Sequence, residues 1–206
     1  MPFPIQVLLI HPEAEACEAF TERFADLPNV EIHQALFEHL PPHDCFVTAG
    51  NSYGIMTAGI DAAVVNFHGF ELMEDIQGRI RDEFLGEQPV GTCFLQPTRN
   101  AQFPFIGHAP TMRIPGSIDG TENIYQATLA AFRAVYHHNV KSDEKINSIA
   151  FPAMGCGFGG VSFSESARQM ATAYNHYLHP PHQLNWETVI SRNQAISFDG
   201  KKKIIR

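Results

Sequence analysis

The sequence predicts an α/β fold, a three-layer α/β/α sandwich built as one domain over residues 1–206. Three observations predict it. Short apolar runs alternate with segments of helical periodicity from end to end, the pattern of a sheet covered by helices on both faces. A length of 206 residues can bury one core without disulfide or metal staples. Apolar residues at 44% and charged residues at 17% are globular proportions, away from the low-hydrophobicity, high-charge signature of disorder.

The continuous apolar run over 5–10 reads as a buried first strand. Pro12 with acidic neighbours then opens a helix that reaches about Leu27. Residues 30–36 and 45–49 follow as short strands, the second broken by the turn-rich cluster Gly50-Asn51-Ser52-Tyr53-Gly54. From Ile60, the spacing of Ala63, Val64 and Phe67 predicts a helix, and Leu72, Ile76, Ile80 and Phe84 predict a second. Strands are expected over 90–95 and 103–108. A long helix over 121–136 carries Ile124, Leu129, Phe132 and Val135 on one side, with Asp119 and Glu122 as cap and capping-box partner. A strand over 146–151 enters Pro152-Ala153-Met154-Gly155-Cys156-Gly157-Phe158-Gly159-Gly160. Ser162 and Glu165 then form a capping box before a helix to about Leu178. Residues 186–191 read as a last strand, and residues 199–206 as a basic, solvated tail carrying Lys201, Lys202, Lys203 and Arg206.

Composition excludes several classes of function. Cys17, Cys45, Cys93 and Cys156 are widely spread with no C-x-x-C pair, which predicts neither a zinc site nor a disulfide framework and fits a reducing, cytoplasmic setting. The N-terminus has no basic region and its apolar run is too short for a signal segment or a membrane span, so no membrane partner is expected. A formal net charge of −8 argues against broad electrostatic capture of a nucleic-acid backbone. His137-His138 and the pair His179 and His182 lack the partners and spacing of a metal motif.

Two segments carry chemistry. A strand, a run of glycines and a capped helix make a physical anion site, because bare backbone N–H groups and the positive helix end can face a phosphate. Gly155, Gly157 and Gly160 also fit G-x-G-x-x-G, but the fit falls late in the chain and lacks the acidic residue that a dinucleotide fold places after its next strand. Cys156, near a helix N-terminus, reads either as a packed small residue or as a nucleophile. In the other segment, Asn51 ends a strand and Asp61 begins a helix ten residues later. Such a pair serves either as two caps or as a convergent amide and carboxylate on one polar ligand.

Together these segments resemble the macro-domain signature, in which Asn-Ala-Ala-Asn leads to a glycine-rich stretch and Gly-Val-Asp, and a later strand ending in Phe-Pro-Ala precedes a diphosphate loop. Asn51 matches the final Asn, Gly59-Ile60-Asp61 matches Gly-Val-Asp, and Phe151-Pro152-Ala153 opens the second loop. Phe105-Ile106-Gly107-His108 looks like the intervening family strand. The resemblance is strongest over residues 30–192. It implies a mixed central sheet and an ADP-ribose cleft at strand ends. Asn51 and Asp61 would lie near the distal ribose, and Ala49, Gly50, Gly59 and Ile60 would also bind the ligand. Met154, Gly155, Cys156, Gly157, Phe158, Gly159 and Gly160 would follow the diphosphate. Two departures stand out. Gln34-Ala35-Leu36-Phe37-Glu38 replaces the family's early Gly-Asp-Ile, leaving Phe37 and Glu38 as adenine contacts or as core and surface residues. The glycine run is reduced to Met56-Thr57-Ala58-Gly59.

By resemblance to MacroD-like hydrolases, Asn51 and Asp61 would be the catalytic pair: the ligand's diphosphate orients a water, Asp61 polarises it and Asn51 holds the ribose, with no cofactor. The partner would be ADP-ribose or an ADP-ribosylated protein, nucleic acid or metabolite. The competing expectation is a reader that binds such ligands without turning them over.

Overall fold

The computed structural model describes residues 2–197. Its strands are β1 (Gln6–Ile10), β2 (Val30–His33), β3 (Cys45–Thr48), β4 (Phe94–Pro97), β5 (Phe105–His108) and β6 (Ser148–Pro152). They form one six-stranded sheet in the order β2-β1-β6-β3-β5-β4. All neighbouring pairs are parallel except β4 with β5, so the sheet is mixed. The helices are α1 (Ala14–Arg23), α2 (Gly59–His68), α3 (Glu71–Phe84), α4 (Asn123–Lys141), α5 (Phe163–Leu178) and α6 (Trp186–Ile196).

The period-2 alternation of strand side chains separates two cores. Leu8, Ala150, Phe46 and Ile106 stand side by side across β1, β6, β3 and β5. They pack on α2 and α3 through Val64, Val65, Leu72, Ile76 and Ile80. One residue out of register, Val7, Ile149 and Cys45 face the other way, into a core built with Phe20 of α1, Phe132 of α4 and Tyr174 of α5. Three layers follow, as the alternation of runs in the sequence predicts.

Several elements depart from the sequence reading at their ends. The strand expected over 30–36 stops at His33, and Phe37–His39 forms a short 3-10 turn that sends Phe37 into the core. The helix expected from Pro12 to Leu27 occupies Ala14–Arg23, and the strand expected over 90–95 is Phe94–Pro97. The Asp119–Glu122 capping pair does not form: Glu122 stands at the cap position of α4 without a side-chain cap bond, and the helix runs on to Lys141. At α5, Ser162 Oγ accepts from Glu165 N at 3.3 Å as its motif requires, but the Glu165 carboxylate turns to Arg168.

The strand expected over 186–191 is instead the start of α6, whose Asn185 side chain caps it by accepting from Thr188 N at 2.9 Å. Its apolar residues Trp186, Val189 and Ile190 stand at i, i+3 and i+4, a helical spacing that the N-cap reinforces. Arg168 holds the far end of α6, donating to the carbonyls of Ala195, Ile196 and Ser197 while it pairs with Glu165. The basic residues over 199–206 lie outside the described residues. Among the described residues, no helix is long and apolar enough to cross a membrane.

No side chain of α6 is buried, and the Arg168 clamp ties its C-terminal end to the sandwich. Arg168→Ala removes three carbonyl caps and one member of a largely buried ion pair. It should cost about 3 kcal/mol of stability and should raise amide exchange across residues 186–197 well above that of α5. Thermal unfolding with hydrogen-exchange mass spectrometry reads both.

Candidate functional site

In open parallel sheets the carboxyl ends of the strands form the binding edge. Here the ends of β1, β3 and β6 open onto a cavity of about 580 Å³, within the ordinary range of small-molecule sites. His11 and Pro12 follow β1, Ala49 to Asn51 follow β3, and Ala153 to Gly159 follow β6. The α2 N-terminus, with Gly59, Ile60 and Asp61, completes the wall. Leu36, Ile55, Ile114 and Phe158 also line the cavity from four different loops, and each is more than half exposed. Clustered exposed apolar side chains around a concave site mark a ligand with flat apolar surface rather than random surface composition.

Of the residues singled out in the sequence, Ala49, Gly50, Asn51, Gly59, Ile60, Asp61, Gly155, Cys156, Gly157, Phe158 and Gly159 are all brought to this cavity. Met154 is not: it is wholly buried in the α4/α5 core, and its carbonyl accepts from Ser166 Oγ at 2.7 Å. Gly160 turns the chain toward α5 with φ +67°. Glu38 reaches the rim, whereas Phe37 touches the cavity with its edge and packs on Phe46 and Phe67 at ring distances of 4.7 and 5.4 Å.

The glycines of the second loop divide by task. A Cβ on Gly155 would sit 2.9 Å from Ile118 and Ile124, and Gly155 holds φ +74°. A Cβ on Gly159 would collide with the Gly155 carbonyl oxygen. Both positions are demanded by the loop itself. Gly157 has nothing within 4 Å of its Cβ direction. Among the described residues, the backbone N–H groups of Gly157, Phe158 and Gly159 have no protein partner. Three consecutive free donors on a concave wall are an anion-binding arrangement. The start of α5 contributes less than its sequence suggests, because Ser162 caps it and the His11 ring packs edge-on against Phe163 at 4.8 Å. Burial pushes the Cys156 thiol up to about 11, which is the wrong direction for a thiolate nucleophile.

The Asn51 amide is committed to its own loop. Its Oδ1 accepts from Tyr53 N and Ile55 N at 3.1 and 3.3 Å, and its Nδ2 donates to the Ile55 carbonyl at 2.8 Å. One N–H of the amide is left for a ligand. The loop is fastened further to the segment after β5: Thr111 N donates to the Gly50 carbonyl, Ser52 N to the Met112 carbonyl, and Arg113 ties Tyr53 to Glu87. Met112, Ile114 and Pro115 of that segment form a wall that motif reading did not find. The available signal was positional: Pro110 to Pro115 follow a strand of the same parallel set.

Asp61 lies in the first turn of α2, only 7% exposed, and its Oδ1 has no hydrogen-bond partner among the described residues. Burial pushes its carboxyl from 3.8 up to about 7. A carboxyl raised in the folded state keeps its proton where the unfolded chain has lost it. Stability therefore falls as pH rises from about 4 to 7, by roughly 4 kcal/mol in full. Asp61→Asn, neutral at every pH, should melt higher than the parent at pH 8, with the advantage shrinking toward pH 4. A pH series of thermal melts that shows a constant difference would contradict this.

A family model described as "Macro domain" matches residues 47–170. Among curated relatives, an uncharacterized protein of Aeropyrum pernix is 32% identical over 130 residues, covering 63% of this chain and 62% of its own length. One of Aquifex aeolicus is 29% identical over 127 residues, covering 62% and 70%. The chain thus spans less than two thirds of the Aeropyrum relative. Among solved structures, the macrodomain of Mycobacterium tuberculosis DarG superposes with a TM-score of 0.55 at 20% identity, over 66% of this chain and 83% of that one. A point variant of the Oceanobacillus iheyensis macrodomain gives 0.59 at 19% identity over 88% and 84%. A further variant, with ADPR, gives 0.52 at 24% identity over 64% and 68%. With the family model covering more than half of its length and the same fold in those structures, the chain belongs to the macro domain family.

Proposed function

We propose that the cavity binds ADP-ribose and that the protein hydrolyses mono-ADP-ribosyl conjugates. The run of free N–H groups over residues 157–159 takes the diphosphate. The exposed apolar lips from Leu36, Ile55, Ile114 and Phe158 enclose the base and riboses, with Glu38 at the rim as an acceptor for the adenine amino group. A solved macrodomain similar to this chain holds ADPR, which supports the same ligand class here.

The observation that carries the hydrolytic reading is Asp61, a buried carboxyl at the cavity wall raised to about 7. A general base is most effective when its pKa lies near the working pH. Water attacks the anomeric carbon of the distal ribose and gives a proton to ionised Asp61. The bond from that carbon to the conjugate's heteroatom breaks with its electron pair going to the heteroatom, which takes up the proton that Asp61 received, releasing ADP-ribose and restoring the carboxylate. Turnover should therefore rise through about pH 7 and level off above it, since only the ionised carboxylate accepts the proton.

A second reading, a reader that binds without turnover, is favoured by Asn51, whose amide is spent mainly on its own loop. The two readings part in one assay. With mono-ADP-ribosylated protein, the parent should release free ADP-ribose, and Asp61→Ala should lose ~10²-fold or more of that turnover while calorimetric affinity for ADP-ribose changes much less. Tight binding with no release from protein or nucleic-acid conjugates would establish the reader instead.

The diphosphate assignment has its own test at Gly157, where a side chain meets no steric barrier. Gly157→Glu should fold and lose ADP-ribose binding through like charge in the phosphate path, whereas Gly157→Ala should bind within about tenfold of the parent. Equal binding by the Glu variant in calorimetry would remove this loop from the ligand path.

A further inference from the structure

Behind Gly50, on the side away from the cavity, lies a polar group that the reading above does not use. His108, at the end of β5, is 0% exposed, and its Nε2 has no hydrogen-bond partner among the described residues. Its Nδ1 lies 2.6 Å from Gln88 Oε1, and Gln88 is itself wholly buried. The direction of this hydrogen-bond chain is fixed by its far end. Thr92 Oγ1 donates to the Pro89 carbonyl at 2.7 Å, which leaves it an acceptor toward Gln88 Nε2 at 3.1 Å. The same Nε2 also donates to the His108 carbonyl at 3.1 Å. The amide nitrogen is thus committed as a donor, Oε1 must accept, and Nδ1 carries the imidazole hydrogen. Nε2 is left as a lone pair.

That lone pair faces the side-chain-free side of Gly50. A Cβ built on Gly50 would fall 2.7 Å from His108 Nε2 and 3.5 Å from Asp61 Oδ2. The two atoms therefore stand no more than about 6 Å apart, a span that one bridging hydroxyl or water closes with ordinary hydrogen bonds. Gly50 does not have a positive φ, so its backbone would accept an alanine. What excludes a side chain is the close approach of the His108 ring.

We propose that His108 is a positioning residue for Asp61: its Nε2, oriented as an acceptor by Gln88, takes a hydrogen bond from protonated Asp61 through one bridging water, across Gly50. The bond engages one carboxyl oxygen, Oδ2, the one nearer Gly50. When Asp61 ionises, its proton leaves to solvent and His108 stays neutral, so the acceptor stabilises only the acid form. Burial supports this division, holding the Asp61 carboxyl up to about 7 and the His108 imidazole down to about 4. The other titratable groups around the cavity are His11, Glu38 and Cys156, together with the exposed cluster of Tyr53, Glu87 and Arg113. None of them is a cause of either shift.

In the proposed hydrolase this pairing sets the pH at which the base is freed, so it rests on that reading for its purpose. Its test does not, because it is made on the ligand-free protein without substrate. In histidine labelled with ¹⁵N, the His108 Nε2 resonance should move with a midpoint equal to that of the Asp61 carboxyl followed by ¹³C, near pH 7, without the larger change that marks imidazole protonation. Asp61→Ala should abolish that step. His108→Phe, which removes the acceptor but keeps the bulk, should lower the Asp61 midpoint by about one unit. A His108 Nε2 signal that ignores pH while Asp61 titrates would overturn the proposal, and so would an Asp61 midpoint unmoved in His108→Phe. If His108→Phe does not fold, the two titrations of the parent and the Asp61→Ala control decide the question alone. A failed hydrolase assay with coincident titrations would sink the enzymatic reading and leave the pairing intact.

Discussion

Asp61 is buried beside a cavity with no cation against it among the described residues, and that arrangement sets demands on everything around it. A lone carboxyl out of water is expensive in its charged form, so its surroundings must be held firmly enough not to open and hydrate it. The α2/α3 core does this from below, through Val64 and Val65 one turn further along the same helix. Part of the cost is offset by position, because Asp61 lies in the first turn of α2, where free N–H groups favour negative charge. The rest is left uncompensated, and it appears as a carboxyl that gives up its proton only near neutrality.

The sheet explains why these groups meet. β3 lies between β6 and β5, so the loop after β3 is placed beside the loop after β6 and beside the segment after β5. Each of the three supplies a different kind of group. The loop after β6 presents bare N–H donors, the segment after β5 presents apolar walls, and the loop after β3 carries the chain past them into α2. Because the loop after β3 must also make that turn, the Asn51 side chain serves as its internal brace. The backbone bonds from Thr111 and Ser52 then lock it to its neighbour. A loop so fastened holds the α2 N-terminus, and therefore Asp61, at a fixed distance from the anion donors.

How far the sequence could be read follows from the range over which each signal acts. Strand faces and helix stripes are set by neighbouring residues. The two cores and all six strands of the sheet were therefore legible, and Asn51, Asp61 and the glycines over 155–159 could be placed together by motif. Ends were less legible because caps and turns act locally: the Asn185 cap opens a helix where a strand was expected over 186–191, and the 3-10 turn at Phe37 cut short the strand expected to reach Leu36. Least legible were roles that depend on contacts across the chain. Gly159 reads as a ligand glycine until the Gly155 carbonyl is seen where its Cβ would be. Nothing near His108 in sequence discloses that Gln88, twenty residues earlier, fixes its tautomer.

The balance between enzyme and reader turns on what a binding site needs. Affinity for a dinucleotide-like ligand can come from backbone donors and apolar walls, which this cavity has without Asp61. An ionised Asp61 would add nothing toward a diphosphate except repulsion, and burying it destabilises the fold at neutral pH. Groups kept at such a cost concentrate where a reaction needs a pKa matched to its pH. Asn51 argues less, because an amide that braces a loop is useful to both kinds of protein. The hydrogen-bond chain from Pro89 to His108 points the same way as Asp61: fixing one imidazole tautomer through the buried Gln88 has little value for holding a ligand that never touches it, and clear value for setting the pH at which a carboxyl takes up a proton.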